Sequence, residues 1–446
     1  MRNKGRVSVA VMLCAGLFVP DARAMDLSLD KTIEMIVAES QDLKKADANV
    51  KKAQAQLDAT NANRWFKLDG TVTYMNMVNV ENPSKSNVID LPPAFGGIIS
   101  DNIQDSAGNP LRIEIPDNIF MAGVSASQPI YTFGKIGNAV KSVRAAIKIS
   151  ESSRDLTARE VKYSAANIYW TAKMTDDIVK IAESDLKAAR DARRNLSAAG
   201  RASRSNLVKI ESDIASKEIN LSDAEFNRDT AHRMLKILAG IDVDEEITLT
   251  DDFPKSFEEL NAGKLEKNPQ WDILNQQVRM YEAKARSSRA QHLPTLAATA
   301  SYNFMSMGNE YDTMFEKKGS QSAYWGLALQ MPIFTGGATR ANATIDAMDA
   351  EAAHQDLDKS KKLLTEEYDN AIKKYNHLRG NLATLENARD LAAKAYQFST
   401  ERFAAGQTSA IELAEVSAGL YQLDMALLNA KYNILMAAQT VKKLGE

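Results

Sequence analysis

The sequence predicts a mainly α protein with a small membrane β-barrel, laid out as two tandem repeats of helix, strand, strand and helical hairpin. Three observations carry this. Gln128-Pro129-Ile130-Tyr131-Thr132-Phe133-Gly134 returns as Met331-Pro332-Ile333-Phe334-Thr335-Gly336-Gly337, and Ala198-Ala199-Gly200 with Ser203 returns as Ala404-Ala405-Gly406 with Ser409. Two long apolar seams share one register, and four short segments alternate apolar with polar residues. Self-similarity on this scale makes each half one structural unit, so function arises from a pseudo-symmetric pair.

At the N-terminus, Arg2, Lys4 and Arg6 precede the apolar stretch Val7 to Val19 and then Ala22-Arg23-Ala24. This reads as a secretory signal over residues 1–24 with an A-x-A cleavage site, giving a mature chain from Met25. Cys14, the one cysteine of the chain, lies in the apolar stretch. Leu13 before it is a poor match to the small residue of a lipoprotein signal, and the mature chain is expected to carry neither disulfide nor catalytic thiol. Cleavage removes four positive charges (Arg2, Lys4, Arg6, Arg23) and Asp21, moving the formal net charge from -3 to -6. That acidic balance argues against a nucleic-acid partner. No later segment has the roughly 18 consecutive apolar residues of a membrane helix, so membrane insertion requires strands.

After the signal, Leu29 to Trp65 is helical by composition and spacing, as is Pro269 to His292. From Gly134 to Ala199 only Gly137 weakens a helix, and from Gly337 to Ala404 only Gly380 does. About 66 helical residues at ~1.5 Å each reach roughly 100 Å. Past the first tip, Leu207, Ile210, Ile214, Lys217, Leu221, Ala224, Arg228, Ala231, Leu235 and Leu238 follow steps of three and four, with Lys217 and Arg228 as polar interruptions. The second copy, Leu413, Val416, Leu420, Leu423, Leu427, Ala430, Ile434, Ala437, Val441 and Leu444, is unbroken. Such seams predict helices packed as a coiled coil. The expected domains are therefore a first repeat over 25–240, a connector over 241–263 and a second repeat over 264–446. The connector's acidic run Asp242, Asp244, Glu245, Glu246 lacks calcium-loop spacing and reads as a solvated surface.

Four strands complete the repeats. Leu296, Ala298, Ala300, Tyr302 and Phe304 share one face, and Ala323, Trp325, Leu327, Leu329 and Met331 form the matching face of the next strand. In the first copy Leu68, Val72 and Tyr74 are expected to pair with Phe120, Ala122, Val124 and Ala126. An apolar face opposite a small polar one suits a barrel strand in the outer membrane, facing its lipid, with a soluble sheet packed on the helices as the other reading. Open edges are not tolerated in hydrocarbon, so closure must come from other copies. Two chains give eight strands with a filled interior, whereas three give twelve and leave a passage, which predicts a trimer. Leu68 to Leu296 is an offset of 228 and Thr132 to Thr335 one of 203, so the first inter-strand loop, about Val78 to Pro116, is 25 residues longer.

Nothing points to an enzyme or a bound cofactor. His232, His292, His354 and His377 are scattered without zinc-site spacing, and phosphate loops and nucleophile elbows are absent from the sequence. Met75, Met77, Met305, Met307 and Met314 gather near strand ends. They read as loop and lipid-facing residues, with soft-metal export as the other reading.

A signal peptide followed by two copies of this element order resembles the TolC-like outer membrane efflux family. Gln128-Pro129-Ile130-Tyr131 and Pro332-Ile333-Phe334-Thr335-Gly336-Gly337 at the strand-to-helix joins carry the likeness, with Gly200 and Gly406 at the hairpin turns. The resemblance implies a homotrimeric α/β-barrel conduit in the outer membrane that extends into the periplasm. It would be a passive exit duct for efflux or type I secretion, coupled to a periplasmic adaptor protein and an inner-membrane pump. It implies adaptor contact at the hairpin tips, where Gly200, Arg201, Ser203, Arg204, Gly406, Thr408 and Ser409 lie. It also places acidic gate residues six and nine positions after the second turn glycine, here Glu412 and Glu415. In the first copy Asn206 stands where some members are acidic, and Arg201 and Arg204 are candidates to reach Glu412 on an adjacent hairpin. Two other readings, a periplasmic adaptor or a coiled-coil scaffold, account for a hairpin but not for two copies with four membrane-like strands.

Overall fold

The computed structural model describes residues 25–77, 87–89, 113–115, 117–198, 203–260, 265, 268–308 and 319–445. The expected signal peptide with Cys14, most of the 78–116 loop, the tip residues Gly200 and Arg201, and Met314 lie outside the described residues. In chain order the elements are β1 (Met25–Leu27), α1 (Leu29–Glu39), α2 (Gln41–Ala62), β2 (Lys67–Asn76), β3 (Asn87–Ile89), β4 (Ile113–Ile115), β5 (Asn118–Tyr131), α3 (Lys135–Ala198) and α4 (Arg204–Ala239). The second half supplies β6 (Ile247–Leu249), α5 (Pro269–Arg289), a 3-10 turn (Ala290–His292), β7 (Thr295–Gly308), β8 (Ser320–Gln330), α6 (Ala338–Ala404) and α7 (Ala410–Gly445). The two expected repeats are borne out, with α3 and α6 running 64 and 67 residues. Among the described residues no helix is long and apolar enough to cross a membrane.

The chain folds as two units. One comprises 50–150 and 273–357 and holds an antiparallel sheet of order β2-β5-β7-β8. The expected first-copy pairing is observed, with Leu68 opposite Ala126, Val72 opposite Ala122 and Tyr74 opposite Phe120. The repeats then join through β5 and β7, where Val124 faces Tyr302 and Ala126 faces Ala300. Because partners directly opposite share a face, one side of the sheet collects Leu68, Val72, Val124, Tyr302, Trp325 and Leu327. These stay exposed, Trp325 at 87% and Val72 at 73%. The other side carries Thr71, Thr73, Ser125, Ser301 and Asn303. Met75, Met305 and Met307 lie on this polar side, which corrects the lipid-facing reading.

The last strand of each repeat, β5 and β8, ends in the same turn. Lys135 N–H donates to the Thr132 carbonyl at 3.0 Å, and Ala338 N–H to the Thr335 carbonyl at 3.1 Å. The two residues between are left-handed in both copies, Phe133 (φ 49°) and Gly134 (φ 89°) against Gly336 (φ 61°) and Gly337 (φ 86°). The repeated motif is thus a backbone requirement, met by glycines in one copy and at some steric cost by Phe133 in the other.

The second unit comprises 1–49, 151–272 and 358–446 and holds most of the buried helix seams. Its largest core packs Ala165, Ala166, Tyr169, Trp170 and Ala172 of α3 against Leu235 and Ala239 of α4, Leu27, Ile36, Leu249 and Leu435. The alanines allow close helix approach, and the aromatics fill the remaining space. Three sequence expectations change here. Leu29 to Trp65 is two helices, because Ser40 leaves helical geometry (ψ 117°) and its Oγ accepts the Leu43 N–H at 3.3 Å, capping α2. The α4 seam ends on buried Ala239, with Leu238 exposed. The 241–263 segment contains β6, which pairs in parallel with β1, Met25 opposite Ile247 and Leu27 opposite Leu249. The long first loop likewise includes the short β3–β4 hairpin.

Tyr169 ties this small sheet to the helices. Its hydroxyl lies 2.9 Å from Asp251 Oδ2 and 3.1 Å from the Leu27 carbonyl oxygen, and it accepts the Asp251 N–H at 3.1 Å. Asp251 Oδ2 also accepts the Leu29 N–H at 2.6 Å, closing the start of α1. Burial pushes the Tyr169 hydroxyl up to about 12, since desolvation disfavours the phenolate. Tyr169→Phe should therefore lose about 1–3 kcal/mol of stability at neutral pH, from the buried partners it strands. The native state holds the proton more tightly than the unfolded chain, so this tyrosine's contribution is complete below the ordinary phenol range and fades as pH rises through about 12. Equilibrium unfolding followed by circular dichroism at pH 7 and above pH 10 tests both; the variant should lack that share of the alkaline loss.

Candidate functional site

The hairpin ends bring four helices together in the second unit. Leu186, Ala189 and Ala192 of α3, Ile210 and Ile214 of α4, Phe403 of α6, and Ala410 and Leu413 of α7 form one buried cluster. Their spacing of three and four residues is the apolar stripe of a helix facing its neighbours.

Polar capping closes the turns beyond it. Ser203 N-caps α4, its Oγ accepting the Asn206 N–H at 3.2 Å. Ser409 does the same for α7, accepting the Glu412 N–H at 3.2 Å. Between α6 and α7, Gly406 is left-handed at φ 75°, and Gln407 N–H donates to the Arg402 carbonyl at 2.8 Å. This is a glycine-terminated helix end, which fixes the register of α7. Ser203, Gly406 and Ser409 thus act on the backbone, while Arg204 is an exposed first residue of α4.

Of the two acidic positions, Glu412 accepts the Thr408 hydroxyl and pairs with Arg402 Nη1 at 3.6 Å. Its guanidinium partner within the chain is therefore Arg402 of its own hairpin and not Arg204, and Arg201 lies outside the described residues. Glu415 follows one turn on and is exposed. An exposed pair such as Arg402–Glu412 contributes ~0.2–1 kcal/mol. The histidines are not gathered: His232 meets Asp176 at 2.8 Å in this unit, and His354 meets Glu282 at 3.1 Å in the other.

Beside this cluster a charged group is built into the core. Lys217, which interrupts the α4 seam, is 6% exposed. Its Nζ lies 2.6 Å from Asp185 Oδ2 of α3, 3.3 Å from Ser417 Oγ of α7 and 3.9 Å from Asp213 Oδ2 of its own helix. Ser417 in turn donates to Asp185 Oδ1 at 2.9 Å. The two hairpins are thus joined by a closed hydrogen-bond ring beside the apolar cluster. Burial raises the Asp213 carboxyl above its ordinary value, against the pull of Lys217. The sequence signal was present, a lysine on a largely apolar seam where the second copy has Leu423. Its partners were not legible, because Asp185 and Ser417 are 32 and 200 residues away. Two ion pairs flank it, an exposed one from Arg190 to Glu218 at 2.7 Å across α3 and α4, and a half-buried one from Arg389 to Asp424 at 2.7 Å across α6 and α7.

Lys217→Met should cost about 3–5 kcal/mol by leaving Asp185 charged, buried and unpaired. Combining it with Asp185→Asn should recover a large part of that loss. A double-mutant cycle on denaturant unfolding measures the coupling, and additive effects would mean the pair is not energetically joined.

Comparison with known proteins agrees with this architecture. The model of the outer membrane efflux protein family matches residues 32–240 and 264–445. The alkaline protease secretion protein AprF of Pseudomonas aeruginosa is 23% identical over 332 residues, covering 71% of this chain and 68% of AprF. Among solved structures, the transmembrane channel CusC superposes with a TM-score of 0.77 at 16% identity, covering 94% of this chain and 92% of CusC. The outer membrane channel CmeC of Campylobacter jejuni gives 0.76 at 18% identity, covering 93% of this chain and 85% of CmeC. The chain belongs to the outer membrane efflux protein family, as an outer membrane channel component.

Proposed function

We propose that three copies of this chain form a passive outer-membrane duct for efflux or type I secretion, fed by an inner-membrane pump through a periplasmic adaptor. The observation that carries the reading is the sheet. Among the described strands β2 and β8 each pair on one side, yet the apolar face between them is exposed. A sheet with free edges is unstable in hydrocarbon, and three copies supply twelve strands around an open interior. The helices make a parallel demand. On α4, Val208, Ile219, Phe226 and Ile237 are exposed, Phe226 at 72%, and steps of 11, 7 and 11 keep them on one stripe. A helix of a neighbouring copy covers that stripe in the assembly. The secretion role in AprF's name supports a duct for exported cargo.

In this assembly the hairpin tips meet the adaptor at the positions of Gly200, Arg201, Arg204 and Thr408, beside turns shaped by Ser203, Gly406 and Ser409. Glu412 and Glu415, three residues apart on α7, face the axis. Threefold symmetry then gathers six carboxylates, a ring that attracts cations and resists close approach of its own members. The Arg402–Glu412 pair is weak enough to rearrange when the mouth widens.

Membrane fractionation and detergent-solution mass test the assembly: a carbonate-resistant outer-membrane trimer is expected, and a stable monomer with its own sealed barrel overturns it. For the mouth, Glu412→Lys with Glu415→Lys should lower or invert cation preference in planar bilayers. Unchanged selectivity removes both residues from the constriction.

A further inference from the structure

The polar face of the sheet carries a group of side chains that the duct reading does not use. Met121 of β5 and Met305 of β7 are directly opposite partners. Such residues sit about 4.5–5.5 Å apart at Cα, near enough for two thioether sulfurs to share one ion. Met75 and Met307 both lie opposite Ile119, one to each side, and are therefore the diagonal neighbours of Met121 on the same face. Diagonal neighbours are about 7–8 Å apart, still within reach of long side chains.

Met75 and Met307 flank the buried Ile119, whereas Met121 and Met305 are flanked in their row by Thr73 and Ser320. The opposite, apolar face is where a lipid-facing methionine belongs, and there the adjacent rows carry Tyr74 with Phe120, and Phe304 with Ala122. On the polar side Met121 and Met305 line a cavity of about 400 Å³ together with Thr71, Thr73, Asn303 and Ser322. Met75 is 40% exposed. The surrounding hydroxyls and carboxamide are neutral, so a hard divalent cation, which needs carboxylate oxygens, gains little there. Thioethers instead select soft cations of the Cu(I) type.

We propose that Met121 and Met305, with Met75 and Met307 beside them, form a thioether site for a soft monovalent cation of the Cu(I) class. The coordination lies within one chain and involves no change of oxidation state. Its position along an exit path, repeated three times around a lumen, rests on the duct reading; its chemistry does not.

Ag(I), a redox-inert stand-in, is the probe. Calorimetric titration of the full chain in detergent should detect Ag(I) binding that Met121→Leu/Met305→Leu weakens by at least about tenfold. Met305→Leu alone should fall between. In the wild-type protein carrying 13C-methyl methionine, the Met121 and Met305 signals should move on titration. An unchanged affinity in the folded double variant, verified by circular dichroism, or shifts confined to other methionines, overturns the site. The mass of the same sample separates the two readings: Ag(I) binding by a monomer keeps the site and removes the duct assembly, whereas a trimer with no methionine-dependent binding does the reverse.

Discussion

A strand edge cannot be left bare in a membrane, and this constraint organises the chain. The sheet β2-β5-β7-β8 satisfies its backbone internally along three ladders and leaves pairing capacity along β2 and β8. Its apolar residues, from Leu68 to Trp325, are left exposed on one face, the pattern of a lipid-facing barrel surface. The helical hairpins carry the same incompleteness in another form, since α4 buries one stripe within the chain and exposes another. Each half of the chain supplies surfaces that one copy does not cover.

Repetition explains how such a chain is specified. The Thr132 and Thr335 turns use the same hydrogen bond and a left-handed pair at the same two positions, so the last strand of each repeat passes into its long helix alike. Ser203 and Ser409 cap the returning helices in the same way. Where the copies diverge, one difference lies in the core. Lys217 replaces the apolar residue of the second seam with a buried cation that joins the hairpins through Asp185 and Ser417. Buried pairs of this type contribute little net stability against an apolar substitute, but removing one partner is costly.

The long helices, the four strands and their first pairing were legible because each is written in local periodicity, 3.6 or 2 residues, over many positions. The break at Ser40 was not, because serine reads equally as a helix surface and as a cap. The strand β6 was missed because three residues carry too little period to stand out, and its partner β1 lies more than 200 residues away. At the tip, Glu412 was located by counting from Gly406, but its pairing with Arg402 follows from the geometry of the turn.

By itself the sequence determined the repeat, the lengths of its helices, the alternation of its strands and the turn residues, all properties of neighbours along the chain. The tertiary structure decided which strands join the two copies, which face the methionines share, and what Lys217 meets in the core. Those depend on register between distant segments, where a shift of one residue turns every side chain to the other face and leaves the local pattern unchanged.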